Sequence, residues 1–141
     1  MSEVSLIDPI AAMIAYLKSK SALTDVVGDR IAAKHRYGVA WDKSEAGLVV
    51  RAQGGEDETY LPATRPTFEF EGYADNTLDA INIYLALDEI ADECKRASVV
   101  TPQGSALIYY MVRVGQLRLY YDVGLEMDYS FIAYNTMINK E

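Results

Sequence analysis

The sequence predicts an α+β fold: a mostly antiparallel sheet of four to five strands with two helices packed on one face. Three observations carry this. A short N-terminal stretch and a long central stretch repeat apolar residues at helical spacing, and strand-like alternation lies on both sides of the central one. The chain has 141 residues, half of them apolar and only four of them proline, which suits one domain over residues 1–141 with long loops near 33–47 and 54–66.

Asp8-Pro9 opens the first helix. Aspartate accepts from the free N–H groups of a first turn, and proline there loses no hydrogen bond it could have made. Ile10, Met13, Ile14 and Leu17 follow as one stripe over about residues 9–20. Ser21 can cap a short helical turn holding Leu23, Val26 and Val27, which Gly28 ends in the left-handed conformation, and Asp29-Arg30-Ile31 leads into extended chain. Periodicity fades over residues 33–47, where His35, Tyr37 and Trp41 lie. Residues 48–53 form a short strand, Gly54-Gly55-Glu56-Asp57-Glu58 has the composition of a turn and tip, and Pro62 and Pro66 bound an irregular return.

The next strand covers residues 67–73, with Phe68, Phe70 and Gly72 on one face and Thr67, Glu69 and Glu71 on the other. Asp75, Asn76 or Thr77 then caps the longest helix, about residues 78–96. Its core arc holds Ala80, Ile83, Tyr84, Leu87, Ile90, Ala91 and Cys94. A turn at Thr101-Pro102-Gln103-Gly104 precedes two strands, 105–114 and 117–121, joined tightly at Gly115-Gln116. After a break at Asp122-Val123-Gly124 comes a final strand, about 126–138.

Charge and residue usage then narrow the function. A net charge of -8 with no basic cluster argues against nucleic-acid binding, which draws its affinity from grouped Lys and Arg. Cys94 is the only cysteine, so no internal disulfide forms, and its place on the core arc reads as a small hydrophobe. His35 is the only histidine, in the least regular segment, so no nucleophile has an evident base. No Cys or His pair stands at ligand spacing, and Asp122, Glu126 and Asp128 lack the glycine-punctuated pattern of a calcium loop. No catalytic residue, metal or cofactor is expected. The N-terminus shows no signal sequence and no window is long enough to span a membrane, so production in the cytoplasm is expected. The eleven tyrosines, without basic grooves beside them, suit protein interfaces better than base stacking.

Ala22-Leu23-Thr24-Asp25-Val26-Val27-Gly28-Asp29-Arg30-Ile31 after a first helix resembles the opening of the tail-terminator, or tail-completion, proteins of long-tailed bacteriophages. Phe68-Glu69-Phe70-Glu71-Gly72-Tyr73-Ala74-Asp75 and the acid-rich, alanine-containing helix after it are similar to that family's second strand and long helix. The sequence departs from the pattern over residues 34–47, where the family passes quickly from the Arg-Ile step to the first strand, and in the long return over residues 58–66. The resemblance implies a structural virion protein of the tail-neck region, assembled in the host cytoplasm. Such a protein forms a hexameric ring on the last ring of tail tube protein, stops tube growth and meets the head-completion or connector protein. Another neck component, a head-completion or head-tail joining protein, is the nearest alternative reading. A cellular binding module or small enzyme is the more distant one.

Two residue groups are the candidate contacts. Leu78, Ile81 and Leu85 lie nearly opposite the core arc of the long helix, with Asp88, Glu89, Asp92 and Arg96 continuing that side, which marks a confined apolar patch for a neighbouring subunit. Tyr37 and Trp41, with the acidic Glu56, Asp57 and Glu58, are expected to meet other proteins of the neck. A ring of such acidic chains would also present acidic groups to its channel, so that DNA passes without specific binding.

Overall fold

The computed structural model describes residues 8–33, 45–57 and 63–140. In chain order the elements are α1 (Pro9–Lys18), α2 (Ser21–Val27), β1 (Ile31–Ala32), β2 (Gly47–Asp57), β3 (Ala63–Ala74), α3 (Thr77–Glu93), β4 (Lys95–Thr101), β5 (Gly104–Asp122) and β6 (Met127–Lys140). The strands form one six-stranded sheet in the order β1-β2-β3-β6-β5-β4. Every pairing is antiparallel except that of β1 with β2. The α+β class therefore holds, with a larger and mixed sheet and a third, short helix.

The expected cap of α1 is present: the Asp8 carboxylate accepts from the N–H groups of Ile10 and Ala11, at 2.9 and 3.3 Å. Met13 and Leu17 are fully buried, and the buried face widens to take in Ala12 and Tyr16. The helix ends at Lys18, two residues early, because Ser19 and Lys20 turn the chain with 3.1 Å backbone bonds to Tyr16 and Leu17. Ser21 is the first residue of α2 and not its cap; Lys20 holds the cap position without a side-chain bond. Gly28 then ends α2 at φ +62°. From there Arg30 ties two strands together. Its carbonyl accepts from Leu48 N–H at 2.8 Å, its Nε donates to the Ala46 carbonyl at 2.6 Å, and its guanidinium meets Glu45 at 2.9 Å.

Three boundaries differ from the sequence expectation for identifiable reasons. Gly54 to Asp57 do not form a turn but extend β2, and Pro66 lies within β3. The ladder shifts register between Gln53 and Gly55, and Pro66 sits opposite Gly55 at that irregularity, a place where a missing N–H costs little. The long helix stops at Glu93, because Cys94 turns to φ -75°, ψ 102° and the β-branched run after it, Val99-Val100-Thr101, pairs with the start of β5 as a hairpin. Gly115-Gln116 is not a turn either: β5 runs unbroken through it. There Gly115 takes φ +76°, and the register against β6 shifts between Val114 and Arg118, which is a bulge carried on the continuous template of β6.

One face of the sheet carries the helices. Phe68, Phe70, Ile108, Ile132, Tyr134 and Ile138 point from the strands into a core completed by Met13, Leu17, Ile83, Leu87 and Ile90. The expected core arc of α3 is buried as predicted, apart from Tyr84, which is half-buried. α1 packs against β1 and β2 and also against β4 and β5, at opposite margins of the sheet, so the sheet curls around its helices. α3 crosses β3, β6 and β5 at their centre.

The approach of α3 is closest at Gly72. A Cβ there would stand 2.7 Å from Ile83 Cγ2 and 2.8 Å from Ser130 Oγ, both below any ordinary contact. Gly72→Ala is therefore expected to destabilise the chain by about 1–3 kcal/mol, read from chemical denaturation, through overpacking. Ile83→Ala, which removes the Cγ2 methyl the new Cβ would meet, should therefore cost less in the Gly72→Ala chain than in the parent; a Gly72→Ala chain as stable as the parent would contradict the packing.

Candidate assembly surfaces

Sheet and helices leave three surfaces whose side chains are not consumed by the core. The first is the outer side of α3. Leu78 is 67% exposed and Leu85 55%, while Ile81 is half-buried. An amphipathic helix normally turns polar groups to that side. The three residues singled out from the sequence thus lie off the protomer's core, on the first half of a helix seated by its other face.

The second surface is a groove between α3 and β5, about 390 Å³ in volume and lined by Asp88, Asp92, Met111, Val112, Arg113 and Tyr134. Its floor is ordered by a chain of polar contacts. Tyr134, buried, donates its hydroxyl to Asp88 Oδ1 at 3.0 Å. Arg113 Nη1 donates to the Tyr84 hydroxyl at 2.7 Å and lies 3.6 Å from Asp88 Oδ1. Burial, and then the bond to Asp88, push the Tyr134 phenol far above its ordinary range, so it remains a neutral donor. The hydrogen bond to Tyr84 likewise holds the Arg113 guanidinium in its charged form.

The third surface is the sheet face away from the helices. Tyr73 and Tyr129 stack with ring centroids 4.8 Å apart, Tyr120 lies 5.4 Å from Tyr129, and Phe131 follows at 6.5 Å from Tyr120. Val49, Tyr73 and Met127 form a small buried cluster at one end of this ladder. Beside it Arg51 Nε donates to Glu71 Oε1 at 2.9 Å. Burial raises the phenols of Tyr73 and Tyr129, with Glu71 adding to the rise, so the ladder stays uncharged. Rings of this kind supply large contact area with a polar edge, the property that enriches tyrosine at protein interfaces.

Of the expected partner contacts, Tyr37, Trp41 and Glu58 lie outside the described residues, as does His35. Glu56 and Asp57 fall at the end of β2 and not on a turn. Sequence reasoning passed over the groove and the ladder. The ladder had a visible sign: in the last strand both alternating sets, Tyr129 and Phe131 on one side and Ile132 and Tyr134 on the other, are apolar. A strand with one wet face would not read so. The groove had none, since Asp88, Arg113 and Tyr134 are far apart in the chain.

Cys94 is buried, its Sγ 3.9 Å from the Ile108 carbonyl, and burial pushes its thiol up. Among the described residues no three His, Cys, Asp or Glu side chains group as a metal site, and no helix is long and apolar enough to cross a membrane.

Comparison with known proteins places this architecture. A chain from a solved structure described as the virion of native gene transfer agent (GTA) particle superposes with a TM-score of 0.57, over 92% of this chain and 93% of that one, at 13% identity. The fold is one found in a virion. At that identity the likeness is one of fold. No family model matches the chain, and no curated protein does.

Two measurements check the site geometry. Tyr134→Phe removes a donor to a charged acceptor and should cost about 1–3 kcal/mol by denaturation, whereas Arg113→Ala, at an exposed and solvent-screened ion pair, should destabilise the chain less than Tyr134→Phe does. Cys94 should resist a maleimide at pH 8 in the folded chain and react fully once urea unfolds it.

Proposed function

We propose that this chain is a structural virion protein, without catalytic activity, that forms a hexameric ring with its own copies, caps the phage tail tube, ends its polymerisation and joins the tail to the head connector. The observation that carries the reading is the fold match with a virion chain over nearly the full length of both. The resemblance of residues 22–31 and 68–75 to the tail-terminator family supplies the specific role.

In this reading the exposed start of α3 is a subunit contact. Leu78, Ile81 and Leu85 pack on the neighbouring protomer, and the charged second half of the helix, with Asp92 and Glu93, stays at the rim. Burying such side chains contributes roughly 1.5–3 kcal/mol each by area, enough to matter after the entropy cost of association. Tyr37, Trp41 and the acidic residues Glu56, Asp57 and Glu58 meet the tail tube protein or the head-completion protein. The excess of acidic groups lets DNA pass through the channel without specific binding.

The test uses tail tubes polymerised from their own subunit. Capped tubes should stop elongating on further addition of tube protein, and uncapped ones should continue. The doubly substituted Ile81→Asp, Leu85→Asp chain should remain folded, with the parent's circular dichroism and melting temperature, but fail to cap. Tubes that grow equally with and without the parent chain would exclude the terminator role. An unfolded double variant would return these residues to the protomer's own core.

A further inference from the structure

β5 is longer than the strand that should cover it. β4 pairs only with residues 104–110 of β5, so residues 111–122 have a partner on the β6 side and none on the other among the described residues. Two straight stretches, 111–114 and 118–122, flank the bulge. An open edge of this length exposes unpaired N–H and C=O groups and is a template for another strand. Folded proteins usually blunt such an edge with charge or proline. Here no proline lies on it and Arg113 and Arg118 are its only exposed charges, while Val112 and Tyr121 are each more than half exposed and Leu119 nearly so.

We infer that the open edge of β5 pairs with the outer edge of β2 in a second copy of this chain, joining the two sheets. The inference rests on the ring reading above and names its contact. Strand direction fits. β2, β3, β6 and β5 alternate in sense, so copies set side by side in the same orientation place β5 antiparallel to the next β2. That edge of β2 is covered by β1 only at Leu48 and Val49, and beyond it Arg51 and Ala52 are exposed.

Charge complementarity selects the same arrangement. Residues 111–122 carry Arg113 and Arg118 against the single acid Asp122, within a chain of net charge -8. β2 carries Glu56 and Asp57 against Arg51. Pairing β5 with β5 across a two-fold axis would set like charges together, whereas β5 on β2 sets basic against acidic. A contact between two different edges of one molecule is heterologous, the kind that closes into rings.

Paired cysteines test this. Leu119→Cys and Ala52→Cys are placed in one chain, Cys94 being buried, and the assembled protein is treated with a flexible bismaleimide. The expected product is a ladder of covalent oligomers ending at the closed ring, with no oligomer from either single variant. Leu119→Lys with Tyr121→Lys should leave melting unchanged and raise the concentration needed for assembly roughly tenfold or more. Rings in the electron microscope without a ladder, or unaffected by the lysines, overturn the edge contact and leave the ring reading standing. Covalent dimers from Leu119→Cys alone indicate a two-fold pair and overturn it too. Absence of rings with and without tube protein, together with no ladder, overturns both.

Discussion

Because Gly72 has no side chain and Ser130 only a hydroxyl, Ile83 can bring α3 down onto the middle of the sheet, and the rest of the molecule is arranged around that contact. Ala80, Leu87 and Ile90 continue the seat toward the other end of the helix, over strands that carry Phe68, Phe70, Tyr134 and Ile138. With α3 fixed over β3, β6 and β5, α2 lies against α3, and α1 fills the curl between the sheet margins. A helix held by one face this firmly cannot roll to hide its other side. Leu78 and Leu85 remain outside as a consequence of how Ile83 and Leu87 are placed inside.

The same fixed frame sets what the strands can expose. α3 and the curled margins protect one face, so the other depends on its own side chains, and there Tyr73, Tyr129, Tyr120 and Phe131 make a ladder of rings. Tyr73 is buried and Tyr129 and Phe131 are half-buried, so Tyr120 is the rung left exposed. The outer side of α3 and the overhang of β5, whose Tyr120 is also the exposed rung of the ladder, are two apolar exposures on one small chain.

Helices were legible in the sequence where one face alone is buried. α1 shows its aspartate cap and stripe, and the arc of α3 from Ala80 to Ala91 lies where its spacing put it. The patch at Leu78, Ile81 and Leu85 could be marked for the same reason, since the core arc was already full. Strand ends were not legible, because glycine and proline mark both turns and bulges. Gly115 at φ +76° and the Gly54-Gly55 pair opposite Pro66 sit inside long strands whose neighbours hold the register across them. β4 was concealed by Lys95 and Arg96, charged residues that extend the helical pattern by two positions although Arg96 takes φ +53°. The Asp88, Arg113 and Tyr134 cluster is formed by pairing between β5 and β6 under α3, which no local pattern records.

In the proposed ring these exposures serve assembly with further copies of the same chain. Native mass spectrometry of the unmodified protein, alone and after mixing with tail tube protein, tests it most directly. A discrete six-subunit species in at least one of the two conditions is the predicted result, and a strict monomer in both contradicts the account.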